Sequence, residues 1–401
     1  MRPFTKTISL DEARRLLDDA VRPIERTETV GLDRAAGRVA AADVASAIDV
    51  PPFARSAMDG YALIAADTAR ASAESPVVLR VLDRAFTGQM SSATVVAGAC
   101  VEIATGAPLP AGADAVVMVE QTAPAAGGVA IMAPAGAGQN VGRRAADIAA
   151  HDVVVSAGDW LTPSRVGALA AIGETDVLVY ARPCVAILST GNEVIEPGLP
   201  LKPGQIYDVN RFTLAALVSM HGGEPQAHRA AEDTLEALTV ALDACRGADV
   251  IVFSGGSSVG DRDLVTDAIG LRGRMIFHGV AIRPGKPTAL AMVGETPFFG
   301  MPGNPTSCLS NAYVLLAPFL RRTARLPPWR PERIRAALGR RIASAAGRHQ
   351  FYTVSLKDGI AYPAFKGSGD ITSLSQADGY IEIPAEQSAV EEGTAVEVTL
   401  F

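Results

Sequence analysis

Three short apolar runs, each ending in a polar or glycine-rich loop, constrain most strongly what this chain can fold into. Val185-Ala-Ile-Leu188 ends in Ser-Thr-Gly-Asn-Glu193, Val250-Ile-Val-Phe253 ends in Ser254-Gly-Gly, and Phe298-Phe299 leads into Gly300-Met-Pro-Gly-Asn-Pro305. A strand buried on both faces reads as an unbroken apolar run rather than an alternating one. Helical segments fall between the runs. One covers Asn210 to Met220, with Gly222 placed to end it. Another is opened by Asp233 with Glu236 and reaches about Cys245, and a long apolar helix follows Pro305. Strands alternating with helices predict a doubly wound, mostly parallel sheet over residues 182–326. Sheets of that kind bind ligands in the crevice at the carboxyl ends of their strands. All three loops belong at that edge.

The chain has 401 residues, more than one core usually organises (~250–300 residues), so further domains are expected. Near the start, Ser9 and Glu12 form a capping-box pattern ahead of a one-faced stripe of Leu10, Ala13, Leu16, Leu17, Ala20 and Val21, which reads as an amphipathic helix. Thr162, Pro163 and Gly173 bracket a second helix. Between the two, short Val/Ile/Ala runs alternate with Gly, Pro and Thr, which suggests a β-rich block. The reading is therefore a discontinuous helical linker domain at 1–48 and 148–181, with a β-rich domain inserted at 49–147. Pro327-Pro328 marks a linker. Residues 327–401 alternate polar and apolar positions around an Asp358-Gly359 hairpin signal, as a small β-barrel or sandwich would.

Composition narrows the function classes. Hydrophobic residues make up 48% of the chain and the formal net charge is −7. An acidic protein is a poor default ligand for nucleic acid or an anionic membrane, so an anionic substrate must meet a local basic patch. The opening MRPFTKTISLDEARRLL holds no apolar signal core and no run is long enough to span a bilayer, so a cytoplasmic protein is expected. Cys100, Cys184, Cys245 and Cys308 are far apart with no CxxC spacing, which fits buried thiols. The five histidines form no zinc-ligand pattern.

The loops carry the chemistry. In Ser254-Gly255-Gly256-Ser-Ser-Val-Gly-Asp261-Arg-Asp263, glycines let the backbone approach an anion, and the two aspartates suit a hard cation such as magnesium. A plain glycine-rich turn before an Asp-capped helix is the alternative, and no P-loop pattern is present. Arg283-Pro-Gly-Lys286-Pro places two cations on a rigid loop. At ~4 Å and an effective dielectric of ~20, like charges cost on the order of 4 kcal/mol, and a bound dianion reverses that sign. The Gly300–Pro305 loop, with Pro302 and Pro305, precedes a helix whose N-terminus can accept an anion. Glu193 lies at a strand's carboxyl edge, and Asp233 is either a site residue or a helix cap. Ser56-Ala-Met-Asp59-Gly-Tyr and Thr105-Gly-Ala-Pro in the β-rich block read as turns with a polar side chain beside glycine.

Taken in order, S-A-M-D-G-Y-A from Ser56, T-G-A-P from Thr105, S-T-G-N-E from Ser189, G-Q-I-Y-D-V-N from Gly204, S-G-G-x-S-V-G-D-R-D from Ser254, P-G-K-P from Pro284 and G-M-P-G-N-P from Gly300 resemble the molybdopterin molybdenumtransferase family. That family includes bacterial MoeA proteins and the gephyrin E domain. The resemblance implies four domains per subunit and an elongated homodimer, with the active cleft between the doubly wound domain of one subunit and the β-rich domain of the other. It implies insertion of molybdate into adenylylated molybdopterin with release of AMP. An upstream molybdopterin adenylyltransferase and downstream molybdoenzymes are then the expected partners. Asp59, Thr105, Glu193 and Asp263 fall on the family's functional positions, and Asp233 does so after a one-residue shift. Arg283, Lys286, Arg348 and Ser368 match its molybdate and substrate contacts. Two departures stand out: Gly142-Arg-Arg-Ala-Ala-Asp147-Ile replaces a more charged segment, and Ser257 stands in the usual S-G-G-V-S. A carrier or scaffold that binds molybdopterin without catalysis is the rival reading.

Overall fold

The computed structural model describes residues 7–228, 234–255, 264–344 and 347–401. They form two compact units. One takes in the chain up to Glu28, Gly37–Val39 and Val179–Phe401, and the other takes in Thr29–Ala36 and Ala40–Leu178.

Helix α1 (Leu10–Ala20) begins as its sequence requires, with Ser9 Oγ accepting the N–H of Glu12 at 3.1 Å. Its apolar stripe is buried with Val185, Val280, Ile282, Phe299 and Phe351. An amphipathic helix must bury that stripe against some apolar surface. Here the surface belongs to the unit that holds the doubly wound sheet.

The second unit is built on β1 (Gly60–Leu63), β2 (Val77–Ala85), β3 (Ala99–Ile103), β4 (Ala115–Met118), β5 (Thr122–Ala125) and β6 (Gly128–Ile131). These strands are ordered β4-β1-β3-β2-β6-β5. The sheet buries both faces: Leu63, Leu79, Cys100, Val117 and Ile131 on one side, Ala62, Val101, Ile103 and Val116 on the other. Helix α2 (Pro163–Ala171) is N-capped by Thr162.

In the first unit, β7 (Cys184–Ser189), α3 (Asn210–Met220), β8 (Glu224–Ala227), α4 (Leu235–Ala244), β9 (Val250–Ser254), α5 (Leu264–Arg272), β10 (Gly273–His278), β11 (Ile282–Arg283), β12 (Ala289–Val293) and β13 (Thr296–Met301) follow in turn. The central sheet runs β8-β7-β9-β13-β12-β10. Its first four strands pair in parallel, and β12 and β10 are added through two successive antiparallel pairings. Val185, Ile187, Val250 and Val252 pack with α1 and α3 on one face. Ala186, Leu188, Ile251 and Phe253 pack with α4 and α5 on the other. The doubly wound, mostly parallel expectation is met. Helix α4 is capped by Thr234, whose hydroxyl accepts the N–H of Ala237 at 3.1 Å; Asp233 lies outside the described residues. The cap falls on Thr234 because that residue has the extended backbone of the position just before the first turn. After β13 the apolar helix is interrupted: α6 (Pro305–Asn311), a π-helical stretch over Ala312–Leu316, then α7 (Ala317–Thr323).

The C-terminal strands β14 (Arg333–Leu338), β15 (His349–Lys357), β16 (Ile360–Pro363), β17 (Gly379–Ile383) and β18 (Ala395–Leu400) are ordered β15-β16-β14-β18-β17. A β15–β17 pairing closes them into a small barrel. Asp358 and Gly359 both have positive φ, 50° and 76°, as a two-residue hairpin turn with right-handed strand twist demands. The barrel also recruits β11, which pairs parallel with β15 through Ile282↔His349 and Arg283↔Gln350.

Candidate active site

The parallel register sets the site. Ser189 pairs with Ser254, and Ser254 with Met301, so three strands end together. The cleft over their ends has a volume of about 1190 Å³. It is lined by the strand ends, by the Arg283–Pro287 loop and by Arg348 and Phe365–Gly369 of the barrel side. Thr190 N–H donates to Ser254 O at 3.0 Å just beyond the strands. Gly255 sits at φ +114°, and a Cβ there would lie 2.4 Å from Thr190 O, so only glycine allows the two loops to close. Of the glycine-rich loop, Ser254 and Gly255 are described and line the cleft. Gly256, Asp261 and Asp263 lie outside the described residues, as does Asp233.

Glu193 lines the cleft and is exposed. Asn210 Nδ2, in the first turn of α3, donates to Gly303 O at 2.8 Å and ties the Gly300–Pro305 loop to that helix. Asp208 Oδ1 accepts the N–H of Arg211 at 3.0 Å, and its Oδ2 lies 3.6 Å from Arg211 Nε. The Arg283–Lys286 loop is held from behind by Asn311, fully buried in α6. Its Nδ2 donates to Gly285 O at 2.9 Å and contacts Thr288 Oγ1 at 2.5 Å, while Thr288 Oγ1 donates to Gly285 O at 2.9 Å. Arg283 is exposed and Lys286 half-buried, and both line the cleft with Arg348.

The start of α6 is not an open anion site. The N–H groups of Thr306 and Ser307 donate to Ser368 O at 3.0 and 3.4 Å. Asn304 Nδ2 donates to Ser368 Oγ at 3.1 Å, and Thr306 Oγ1 to Asp370 O at 2.7 Å. A segment from the barrel side consumes the donors that a helix N-terminus normally offers, which corrects the expectation that this helix end receives the ligand. Pro302, Pro305 and Ser368 still line the cleft.

Two observations point to a polar anionic ligand. The described lining residues carry Arg283, Lys286, Arg348 and Lys366 against Glu193 and Asp208, in a chain of net charge −7. Among the described residues, the buried hydroxyls of Ser189, Thr190 and Ser254 have no hydrogen-bond partner, and each can donate to an anion. Unpaired buried polar groups are rare because each forfeits its hydration. The sequence motifs contain Ser189, Thr190, Asp208 and Asn210 but assign them no role, and Asn311 and Lys366 lie outside every motif. The available signal for Asn311 was a lone amide inside an apolar helix.

In the other unit, Asp59 and Thr105 meet. Asp59 Oδ1 accepts the N–H of Thr105 at 2.7 Å across 46 residues of sequence. Both residues are exposed. Burial pushes the Cys100 thiol up to about 12 and the Cys245 thiol up to about 11, so neither is an available nucleophile. No group of three His, Cys, Asp or Glu residues among the described residues forms a metal cluster. No helix among them is long and apolar enough to cross a membrane.

A doubly wound sheet with a cation-lined cleft at its carboxyl edge, joined to a closed barrel that supplies one wall, defines an α/β protein shaped to hold an anionic organic ligand. Three family models match in order: the MoeA N-terminal region (domains I and II) over residues 8–173, a probable molybdopterin-binding domain over 186–322, and the MoeA C-terminal region (domain IV) over 335–401. The chain belongs to the MoeA family. It is 36% identical to molybdopterin molybdenumtransferase 2 of Mycobacterium tuberculosis, covering 97% of this chain and 98% of the relative. It is 33% identical to the Haemophilus influenzae molybdopterin molybdenumtransferase, covering 98% of each. Among solved structures, a molybdopterin biosynthesis MoeA protein from Pyrococcus horikoshii superposes with a TM-score of 0.86 at 38% identity, covering 98% of this chain and 99% of that one.

Proposed function

We propose that this chain is a molybdopterin molybdenumtransferase. It takes adenylylated molybdopterin and molybdate as substrates, opens the phosphoanhydride, passes molybdenum to the dithiolene and releases AMP. The observation that carries this reading is the concentration of cations in one cleft of an acidic chain, at the carboxyl edge of the sheet. Chemistry on a phosphoanhydride asks mainly for positioning and charge neutralisation, with no covalent protein intermediate.

Arg283 and Lys286 bind the molybdate dianion, with Arg348 and Ser368 on the facing wall. Pro302 and Pro305 shape the loop against which the organic part rests, and Ser254 and Gly255, with Gly256, bring backbone donors to the phosphates. Glu193 is an exposed carboxylate on the cleft wall, and the hydroxyls of Ser189, Thr190 and Ser254, unpaired among the described residues, are hard oxygen donors lining the same cleft. That donor set suits magnesium. Glu193, Asp261 and Asp263 would hold the ion, with Asp233 assisting. Bound magnesium would neutralise charge on the phosphate oxygens. The protein acts as a homodimer, and Asp59 of the partner subunit, with Thr105 of the partner subunit, completes the cleft. The cytoplasm is the compartment in which this substrate would be met.

The test is reconstitution. Purified protein with adenylylated molybdopterin, magnesium and molybdate should release AMP and yield active cofactor, read by activation of an apo-molybdoenzyme. Tight binding of the pterin with no AMP release would instead mark a carrier.

A further inference from the structure

We propose that Lys366 is a binding cation for the phosphoanhydride of the substrate. This rests on the reading above and adds a residue that its motifs did not contain. Lys366 opens the Lys-Gly-Ser-Gly-Asp segment that lines the cleft on the barrel side. The segment is held at several points. Lys366 N–H donates to Ser373 Oγ at 2.9 Å, Ser368 O accepts from the first turn of α6, and Asp370 O accepts from Thr306 Oγ1. The backbone under the lysine is therefore fixed relative to the strand ends.

Lys366 Nζ itself meets only neutral oxygens, Thr372 Oγ1 at 3.0 Å and Gln376 Oε1 at 3.1 Å. Neither of these partners among the described residues is a carboxylate, and the side chain is exposed. An uncompensated charge sharing a cleft with Arg283, Lys286 and Arg348 raises the energy of the empty protein by like-charge repulsion. A polyanion reverses that term. Asp208 is paired with Arg211, and Arg283 and Lys286 match a molybdate dianion, so Arg348 and Lys366 answer a ligand with additional charge. In the proposed substrate that charge sits on the two phosphates of the anhydride. A lysine suits this role because its ammonium is a compact charge on a flexible stem that can leave neutral partners for a phosphate oxygen.

The experiment uses the full-length protein and two probes, inorganic pyrophosphate and molybdate, titrated separately by calorimetry at low ionic strength. Lys366→Gln keeps a group able to hydrogen-bond Thr372 and removes the charge. It should weaken pyrophosphate binding about tenfold, the scale of one charge-assisted hydrogen bond, with Lys366→Arg recovering most of the loss and molybdate affinity nearly unchanged. In turnover, Lys366→Gln should raise KM for the adenylylated pterin with little change in kcat, because the contact forms equally in ground and transition states. Unchanged pyrophosphate affinity in Lys366→Gln, while wild type binds it, overturns the assignment and leaves the reading of the cleft intact. Equal losses for both probes also overturn it, since the lysine would then act only through the general potential. Failure of wild type to bind pyrophosphate at all would count against the phosphoanhydride reading itself.

Discussion

Asn311 touches no proposed ligand, yet replacing it should weaken anion binding. Its amide holds the Arg283–Lys286 loop through Gly285 O at 2.9 Å and Thr288 Oγ1 at 2.5 Å, at a position with no solvent exposure. In Asn311→Ala, Gly285 O keeps the Thr288 hydroxyl as a donor, so the carbonyl is not stranded. The unpaired Oδ1 of Asn311 also disappears, which offsets part of the loss. Two hydrogen bonds at about 1 kcal/mol each then put the upper end of the expected destabilisation near 2 kcal/mol. The loop must be re-ordered when the anion binds. If all of that cost falls on binding, molybdate affinity drops about thirtyfold, and a smaller share gives a few-fold. Urea denaturation gives the first number and calorimetric titration of molybdate the second. A loss of stability near 2 kcal/mol with wild-type molybdate affinity would refute the argument that loop order limits binding.

Lys286→Ala should weaken molybdate binding by about ten- to a hundredfold while the fold survives, since a charge-assisted contact contributes roughly 1.5–3 kcal/mol; unchanged affinity with weaker AMP binding would move this cation to the phosphates. Asp263→Asn and Asp59→Asn should each abolish AMP release from a folded protein, and mixing them after demonstrated subunit exchange should restore part of it. No recovery would place both residues in one chain's own cleft or make Asp59 structural. His221 gives a pH prediction. Burial, helped by the Arg321 charge, pushes its imidazole down to about 4, below the ordinary value in the unfolded chain, so its unfolded form binds the proton more tightly. Its contribution to stability is therefore complete above the unfolded value and is lost as pH falls toward about 4. Between about pH 7 and about pH 5 the loss should be on the order of 2 kcal/mol. His221→Phe should flatten that slope in urea titrations, and an unaltered slope would assign it to other groups.

The order and type of most elements are legible in the residue order. The apolar runs at Val185 and Val250, short and closed by glycine-bearing loops, read as strands covered on both faces, the Ser9 and Thr162 caps began their helices, and Asp358-Gly359 turned its hairpin. These outcomes are local, or follow from burial of one periodic stripe, and residue order encodes both. It also marked most of the cleft, because glycine, proline and paired charges are punctuation that survives without coordinates. The remaining features emerge only when distant segments pack together. Tertiary packing drew α1 onto the sheet unit, moved β11 into the barrel, and let Ser368 O occupy the start of α6. It also brought Asn311 behind Gly285 and Lys366 to the wall of the cleft. Each of these joins segments far apart in the chain, through backbone groups that every residue carries or through single polar side chains with no period. A hydrogen bond between a carbonyl and a distant amide leaves no mark on either neighbourhood, so only the folded chain reveals it.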